Sequence, residues 1–348
     1  MSLKIIIKLS KYVLTACILL GSCHVTNKNT VKNENQLKKS IDTVIKSNNF
    51  NGVVLLTKGN NTLYSNSTGY ADFENKTLLS LNSQFVIGSI SKQITAVLVL
   101  QSYELGAIKL EDTINEYLTD INQPWTKDVT IHHLLTHTHG IVDIQKPLEF
   151  KPGSQFQYSQ LGFELLAHIL EKVTGKTFEQ LSTALFNVHE LTNTFHPYNK
   201  QYKNLVKGYE QDENGTLNYA TNSLDNFVAA GSFISTVSDL NKWNILLHSG
   251  KLVKAETLEL MSTRYATRQH PIFSTIEYGY GLLFKEGEAK KQIGALGYAP
   301  GFVSSCHYYP EKDINLVILE NTAYKLNDFK TTFKTHTALM ELVKSLNE

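Results

Sequence analysis

The chain has 348 residues, 42% hydrophobic and 19% charged, enough to bury a substantial core in one large domain or two intimate ones. Its formal net charge is +1, with lysine and arginine spread along the sequence, which excludes the clustered basic surface of a nucleic-acid-binding protein. There is no internal repeat and no low-complexity tract.

The first residues differ from the rest. Lys4, Lys8 and Lys11 precede the apolar run 12–20, which ends in Gly21-Ser22-Cys23 and turns polar at His24. A run this short does not span a bilayer and has the form of a secretory signal. Leu20-Gly21-Ser22-Cys23 is similar to the bacterial lipoprotein cleavage box, which would make Cys23 the lipidated first residue of the mature chain. Leu14-Thr15-Ala16-Cys17 fits the same box but would leave Ile18-Leu19-Leu20 behind. An uncleaved anchor and an ordinary signal peptide are the alternatives. The expected division is a signal at 1–23, a polar tether at 24–33 and a folded domain at 34–348, exported and held to a membrane by lipid, in the periplasm or at the cell surface. Cys306 is then left alone, and the fold has no internal disulfide.

Leu37, Ile41, Val44 and Ile45 mark one face of an amphipathic helix over 34–47. Two extended runs follow, 52–57 and 62–69, joined at Lys58-Gly59-Asn60-Asn61, a hairpin signal. The first is apolar on both faces, as a central strand is. Beyond the apolar stretch 85–106, strand signals largely stop. Short helices and turns fill 111–137, Phe150-Lys151-Pro152-Gly153 is a turn, and 155–158 is short and extended. A helix over 161–174 closes at Gly175, and another covers 239–247. Strands return at 280–284, 292–296, 301–309 and 314–320, before a helix from 329 to 346. Two sheet-forming ends around a helical middle predict an α/β fold, with a layer from residues 34–88 and 275–348, an inserted lobe over 89–274, and a site where they meet.

The stretch Phe85-Val86-Ile87-Gly88-Ser89-Ile90-Ser91-Lys92 leads into a helix whose Ile94, Val97, Leu98, Leu100 and Tyr103 leave almost no polar face. Ser89 and Lys92 stand three apart, so hydroxyl and amine emerge on one side of the first turn. A serine is a weak nucleophile without a base, and a desolvated amine is one that accepts a proton. Read alone, S-x-x-K is a weak signal that usually means a capping serine and a snorkelling lysine. The context favours chemistry, because an amine in so apolar a helix needs a partner.

The blocks Gly69-Tyr70-Ala71-Asp72, 85–92, Glu104-Leu105-Gly106, His133-Leu134-Leu135-Thr136-His137-Thr138, Tyr158-Ser159-Gln160-Leu161-Gly162, Ala230-Gly231 and Pro300-Gly301-Phe302 resemble, in the same order, the serine hydrolases related to class C β-lactamases and penicillin-binding proteins. The resemblance runs from Gly52 to Glu320. It implies a β-lactamase-like fold, an antiparallel sheet from the N- and C-terminal segments flanked by helices, with a mostly helical inserted lobe and no metal or other cofactor. It also implies that Ser89 attacks a carbonyl, that Lys92 takes or shares its proton, and that Tyr158 is a second base that later activates water. Backbone N–H groups of Ser89 and Tyr298 would hold the oxyanion, and Gln160 and Gly297 would contact the substrate. Without that resemblance, Tyr158 is one of 17 tyrosines.

Two positions depart from the family. Gln160 stands where Tyr-x-Asn has its asparagine, one methylene longer. Ala295-Leu296-Gly297 stands where the family has Lys-Thr-Gly or His-x-Gly, and Ala295 supplies no cation to bind a substrate carboxylate. This disfavours β-lactams and D-Ala-D-Ala ends and leaves esters and amides open. His132, His133, His137 and His139 suggest metal at first, His133 and His137 having the i, i+4 spacing of a zinc pair, but no H-E-x-x-H glutamate lies between them. Cys306 reads as a packed thiol. The expected function is an exported serine hydrolase working through an acyl-enzyme on a small acyl ester, amide or peptide. A cell-wall D,D-peptidase or β-lactamase and a non-catalytic binder are the rivals.

Overall fold

The computed structural model describes residues 28–346 apart from 289 and 290, so the signal segment and Cys23 lie outside the described residues. The first helix, α1 (Lys28–Ser47), begins six residues before the expected Glu34, and the part read as tether at 28–33 is helical. Among the described residues no helix is long and apolar enough to cross a membrane.

The hairpin forms as expected, β1 (Gly52–Lys58) turning through Gly59 and Asn60 into β2 (Asn61–Thr68). After it come α2 (Ser91–Glu104), α3 (Leu161–Thr174) and a one-turn helix α4 (Val228–Gly231). Six more strands follow: β3 (Ala266–His270), β4 (Ser274–Tyr278), β5 (Leu283–Lys285), β6 (Ile293–Ala299), β7 (Phe302–Tyr309) and β8 (Ile314–Glu320). The chain ends in α5 (Phe329–Thr332) and α6 (Lys334–Lys344), two helices where the sequence suggests one.

The eight strands form one antiparallel sheet in the order β2-β1-β8-β7-β6-β5-β4-β3. Strands β1 and β8, from opposite ends of the chain, pair along their whole length from Gly52 opposite Glu320 to Lys58 opposite Ile314. The alternation of a strand sends successive side chains to opposite faces. Val54, Leu56, Leu316 and Ile318 thus pack under α1 and α6 against Leu37, Ile41, Leu339 and Met340. Val53, Leu55, Val317 and Leu319 join the larger core beneath the helical lobe. Burial on both faces is why these two runs are apolar throughout, and each fully buried aliphatic side chain contributes about 1.5–3 kcal/mol.

The sheet and its helical lobe match the expected architecture, with one shift of boundary. The sheet resumes at Ala266, inside the stretch assigned to the lobe, through the hairpin β3–β4. Ala266-Thr267-Arg268-Gln269-His270 carries no apolar alternation, so nothing in its own sequence marks a strand. The short piece 155–158 is extended but pairs with no strand.

Candidate active site

Ser89 sits in a single 3-10 turn, Gly88–Ile90, that runs directly into α2. Two bonds pin the residue before it: Ile87 N–H donates to Phe233 O (2.9 Å), and Ile87 O accepts from the Ser304 hydroxyl (2.7 Å). Gly88 has φ +53°, and a methyl group on it would lie 2.5 Å from the Tyr298 nitrogen. Only glycine fits both demands. The turn bearing Ser89 is therefore pressed against the end of β6 that carries Gly297 and Tyr298.

Lys92 is buried with only 1% of its surface exposed. Its amine donates to the Ala230 carbonyl of α4 at 2.8 Å and lies 3.2 Å from Ser89 Oγ. No carboxylate lies within ion-pair distance of it among the described residues. Three more polar side chains of α2 reach across the lobe: Thr95 donates to Ala229 O at 2.6 Å, Gln93 Oε1 accepts from Trp243 Nε1 at 3.1 Å, and Ser91 Oγ accepts from Phe233 N–H at 3.2 Å. These contacts fix the helix in rotation as well as depth, and so fix where the amine points.

Tyr158 comes from the irregular segment before α3. His137 holds it by both chain neighbours: Gln157 N–H donates to His137 O (2.8 Å), and Ser159 N–H donates to His137 Nδ1 (3.2 Å). With Nδ1 accepting, the ring's proton is on Nε2, which faces the Tyr278 hydroxyl at 3.2 Å. Burial, with Lys92 nearby, holds this imidazole well below its usual pKa, consistent with the neutral form the bonds require. The Tyr158 ring lies 4.5 Å from that of His137, and its centroid is 4.7 Å from the Lys92 amine. The lysine thus meets the face of the ring, and the phenol oxygen makes no hydrogen bond among the described residues. Tyr158 as a whole is 36% exposed and lines the cavity.

That cavity, about 290 Å³, is lined by Ser89, Tyr158, Gln160, Ala295, Gly297 and Tyr298, so the residues singled out in the sequence converge, with the Lys92 amine behind Ser89. Gln160 reaches it without a hydrogen bond to Lys92, whose second acceptor is Ala230 instead. Ala295 is buried in its floor and brings no charge. The rest of the lining comes from β3–β4 and α5, with Arg268, His270, Ile272 and Phe329, none of which the sequence pointed to. The apolar alternation of Ile276 and Tyr278 was the one signal available for that hairpin.

The four histidines go separate ways. His133 completes a capping box with Thr130, His132 bonds Tyr280 Oη at 2.8 Å, and His139 Nδ1 accepts from Ile141 N–H at 2.9 Å. Among the described residues no three His, Cys, Asp or Glu side chains converge as metal ligands would. Cys306 is fully buried and its thiol pKa is pushed up by burial.

The Beta-lactamase family model matches residues 37–338. Teichoic acid D-alanine hydrolase of Staphylococcus aureus is 27% identical over 269 residues, covering 71% of this chain and 66% of that protein, just under two thirds of its length. Penicillin-binding protein 4* of Bacillus subtilis (strain 168) is 26% identical over 328 residues, covering 82% of this chain and 71% of that one. D-amino acid amidase from Ochrobactrum anthropi SV3 superposes with a TM-score of 0.77 at 20% identity, over 90% of this chain and 99% of that one, which shows a shared fold. The matched span takes in the sheet, the lobe and the whole cavity wall, and this chain belongs to the Beta-lactamase family of serine hydrolases.

Proposed function

We propose that the protein hydrolyses acyl esters or amides through an acyl-enzyme on Ser89. One observation carries this reading: a buried amine without a carboxylate partner among the described residues stands 3.2 Å from a hydroxyl that opens into a cavity. Ser89 Oγ attacks the carbonyl carbon as its proton passes to Lys92, and the carbonyl electron pair moves onto oxygen beside the Ser89 and Tyr298 amides. Collapse expels the leaving group with a proton relayed from Lys92 or Tyr158. Water, losing its proton to the same pair, then attacks the acyl carbon and frees Ser89. A rotation of Tyr158 that replaces the ring face with the phenol oxygen completes this relay, since catalytic hydrogen bonds often tighten only with substrate bound.

Gln160 and Gly297 would flank the acyl group. Ala295 removes the cation found there in penicillin-recognising relatives, which favours esterase or amidase chemistry over a D,D-peptidase or β-lactamase. The S. aureus relative's name makes D-alanyl esters the first substrate to try. The 1–23 segment would export the chain and lipid on Cys23 would anchor it.

The test is mass spectrometry of the protein after exposure to p-nitrophenyl esters, D-amino-acid amides and a cephalosporin. An acyl adduct on Ser89, with its mass identifying the accepted group, is the expected result. Absence of any adduct and of turnover would favour the non-catalytic binder. Loss of fatty-acid labelling in Cys23→Ala is expected for the anchor, and unchanged labelling would remove it.

A further inference from the structure

Arg268 sits on β3 between the exposed Thr267 and Gln269, opposite Ile276, and strand alternation turns it toward the cavity. Its guanidinium carbon lies 5.1 Å from the centroid of Tyr158 and 5.4 Å from that of Phe156, so two aromatic rings hold the group. Its Nε is buried with no hydrogen-bond partner, and no carboxylate pairs with it among the described residues. Glu277 on β4 pairs with Arg264 instead, at 3.6 Å. The cavity lining contains no Asp, Glu or Lys, which makes Arg268 the one formal charge on its wall among the described residues. Arg268 is only half-buried, but a guanidinium with a stranded Nε gains when an anion meets it, and its planar fork suits carboxylate or phosphate.

We propose that Arg268 is a specificity-determining residue that binds an anionic group of the substrate, carboxylate or phosphate, from a different strand of the sheet than the one on which Ala295 has lost the family's cation. The inference rests on the hydrolase reading above and names its substrate class: acyl esters or amides whose acyl or leaving portion carries a negative charge. The apolar neighbours Ile272, Leu283 and Phe329 would pack the chain between that charge and the scissile bond.

Three p-nitrophenyl esters of matched length test it: the hemiglutarate (carboxylate), the 3-phosphonopropionate (phosphonate) and the valerate (neutral). Wild-type protein should favour the anionic esters in kcat/KM by about 10- to 100-fold, the range of a charge-assisted hydrogen bond, and Arg268→Ala should remove that ratio. Arg268→Lys should keep part of it, because the charge stays while the fork is lost. Whichever anion gains more identifies carboxylate or phosphate as the ligand. Equal kcat/KM for charged and neutral esters in wild type overturns the proposal. So does a fall of all three together in Arg268→Ala with the ratio intact, the mark of a residue that only shapes Tyr158. Binding of monomethyl glutarate, monomethyl 3-phosphonopropionate and methyl valerate to Ser89→Ala, with and without Arg268→Ala, separates the two claims. Anion-selective binding without turnover in wild type sinks the hydrolase alone, and turnover without anion preference sinks this inference alone.

Discussion

Two serine–base pairs in this molecule invite comparison. At the cavity, Ser89 Oγ is 3.2 Å from the Lys92 amine. Inside the fold, Ser305 Oγ on β7 is 2.6 Å from His336 Nδ1 on α6, and His336 Nε2 is 3.4 Å from Glu320 Oε2 at the end of β8. The interior set has the hydroxyl, imidazole and carboxylate of a catalytic triad and the shorter first contact. Yet Ser305 and His336 have no exposed surface and Glu320 is 3% exposed, so no substrate carbonyl can reach them. Thr322 donates to the other Glu320 oxygen at 3.1 Å, which ties the carboxylate to its own strand end. What sets the proposed active site apart from this strut is the adjoining space and the backbone amides beside it, more than the distance between hydroxyl and base.

Exchanging the roles of the two sites gives the sharpest test. Ser89→Ala should abolish turnover and covalent labelling by a fluorophosphonate, because the interior serine cannot substitute; residual labelling on Ser305 would break the comparison outright. Next in size, Lys92→Ala and Tyr158→Phe should each lower kcat/KM by about 10²–10⁴, the range of lost general-base catalysis. Wild-type rates in both would place the base elsewhere. Ser305→Ala should leave kcat/KM unchanged and lower unfolding stability by about 1–3 kcal/mol, since it strands a buried imidazole nitrogen. A urea titration reads the second effect and an ester assay the first.

A further effect, on stability alone, concerns protons. Burial holds His139 and His248 down to about 4 and His307, beside His336, down to about 3. The unfolded chain protonates such rings near pH 6.5, whereas the fold resists until these lower values are reached. In that window the unfolded state binds more protons, so stability falls as pH drops. Each ring adds a slope of at most about 1.4 kcal/mol per pH unit. The urea midpoint should therefore decline between pH 6.5 and 4.5, and a flat profile would mean these rings are solvated in the native protein.

The contrast also shows which parts of the molecule sequence can disclose. β1 and β8 are legible because burial on both faces demands continuous apolar runs, and Lys92 because an amine stands out in a helix with almost no polar face. Tyr158, Gln160 and Tyr298 needed the family blocks, since their spacing from Ser89 carries no local period. Arg268 was invisible for a physical reason: the polar strand β3 is held by pairing with β4, and its arginine is packed against Phe156 and Tyr158 from distant sequence. The Ser305–His336–Glu320 network was equally hidden, being assembled from three elements whose residues look ordinary in isolation.

The pairing of β1 with β8 bears on synthesis. A ribosome delivers Ser89 and Lys92 long before β6 brings Tyr298 to the Gly88 turn, and β6 reaches its place only through β7 and β8. The nucleophile proposed above is consequently dormant in the half-made polypeptide, and the proposed acyl transfer requires that the last third of the chain be translated and docked.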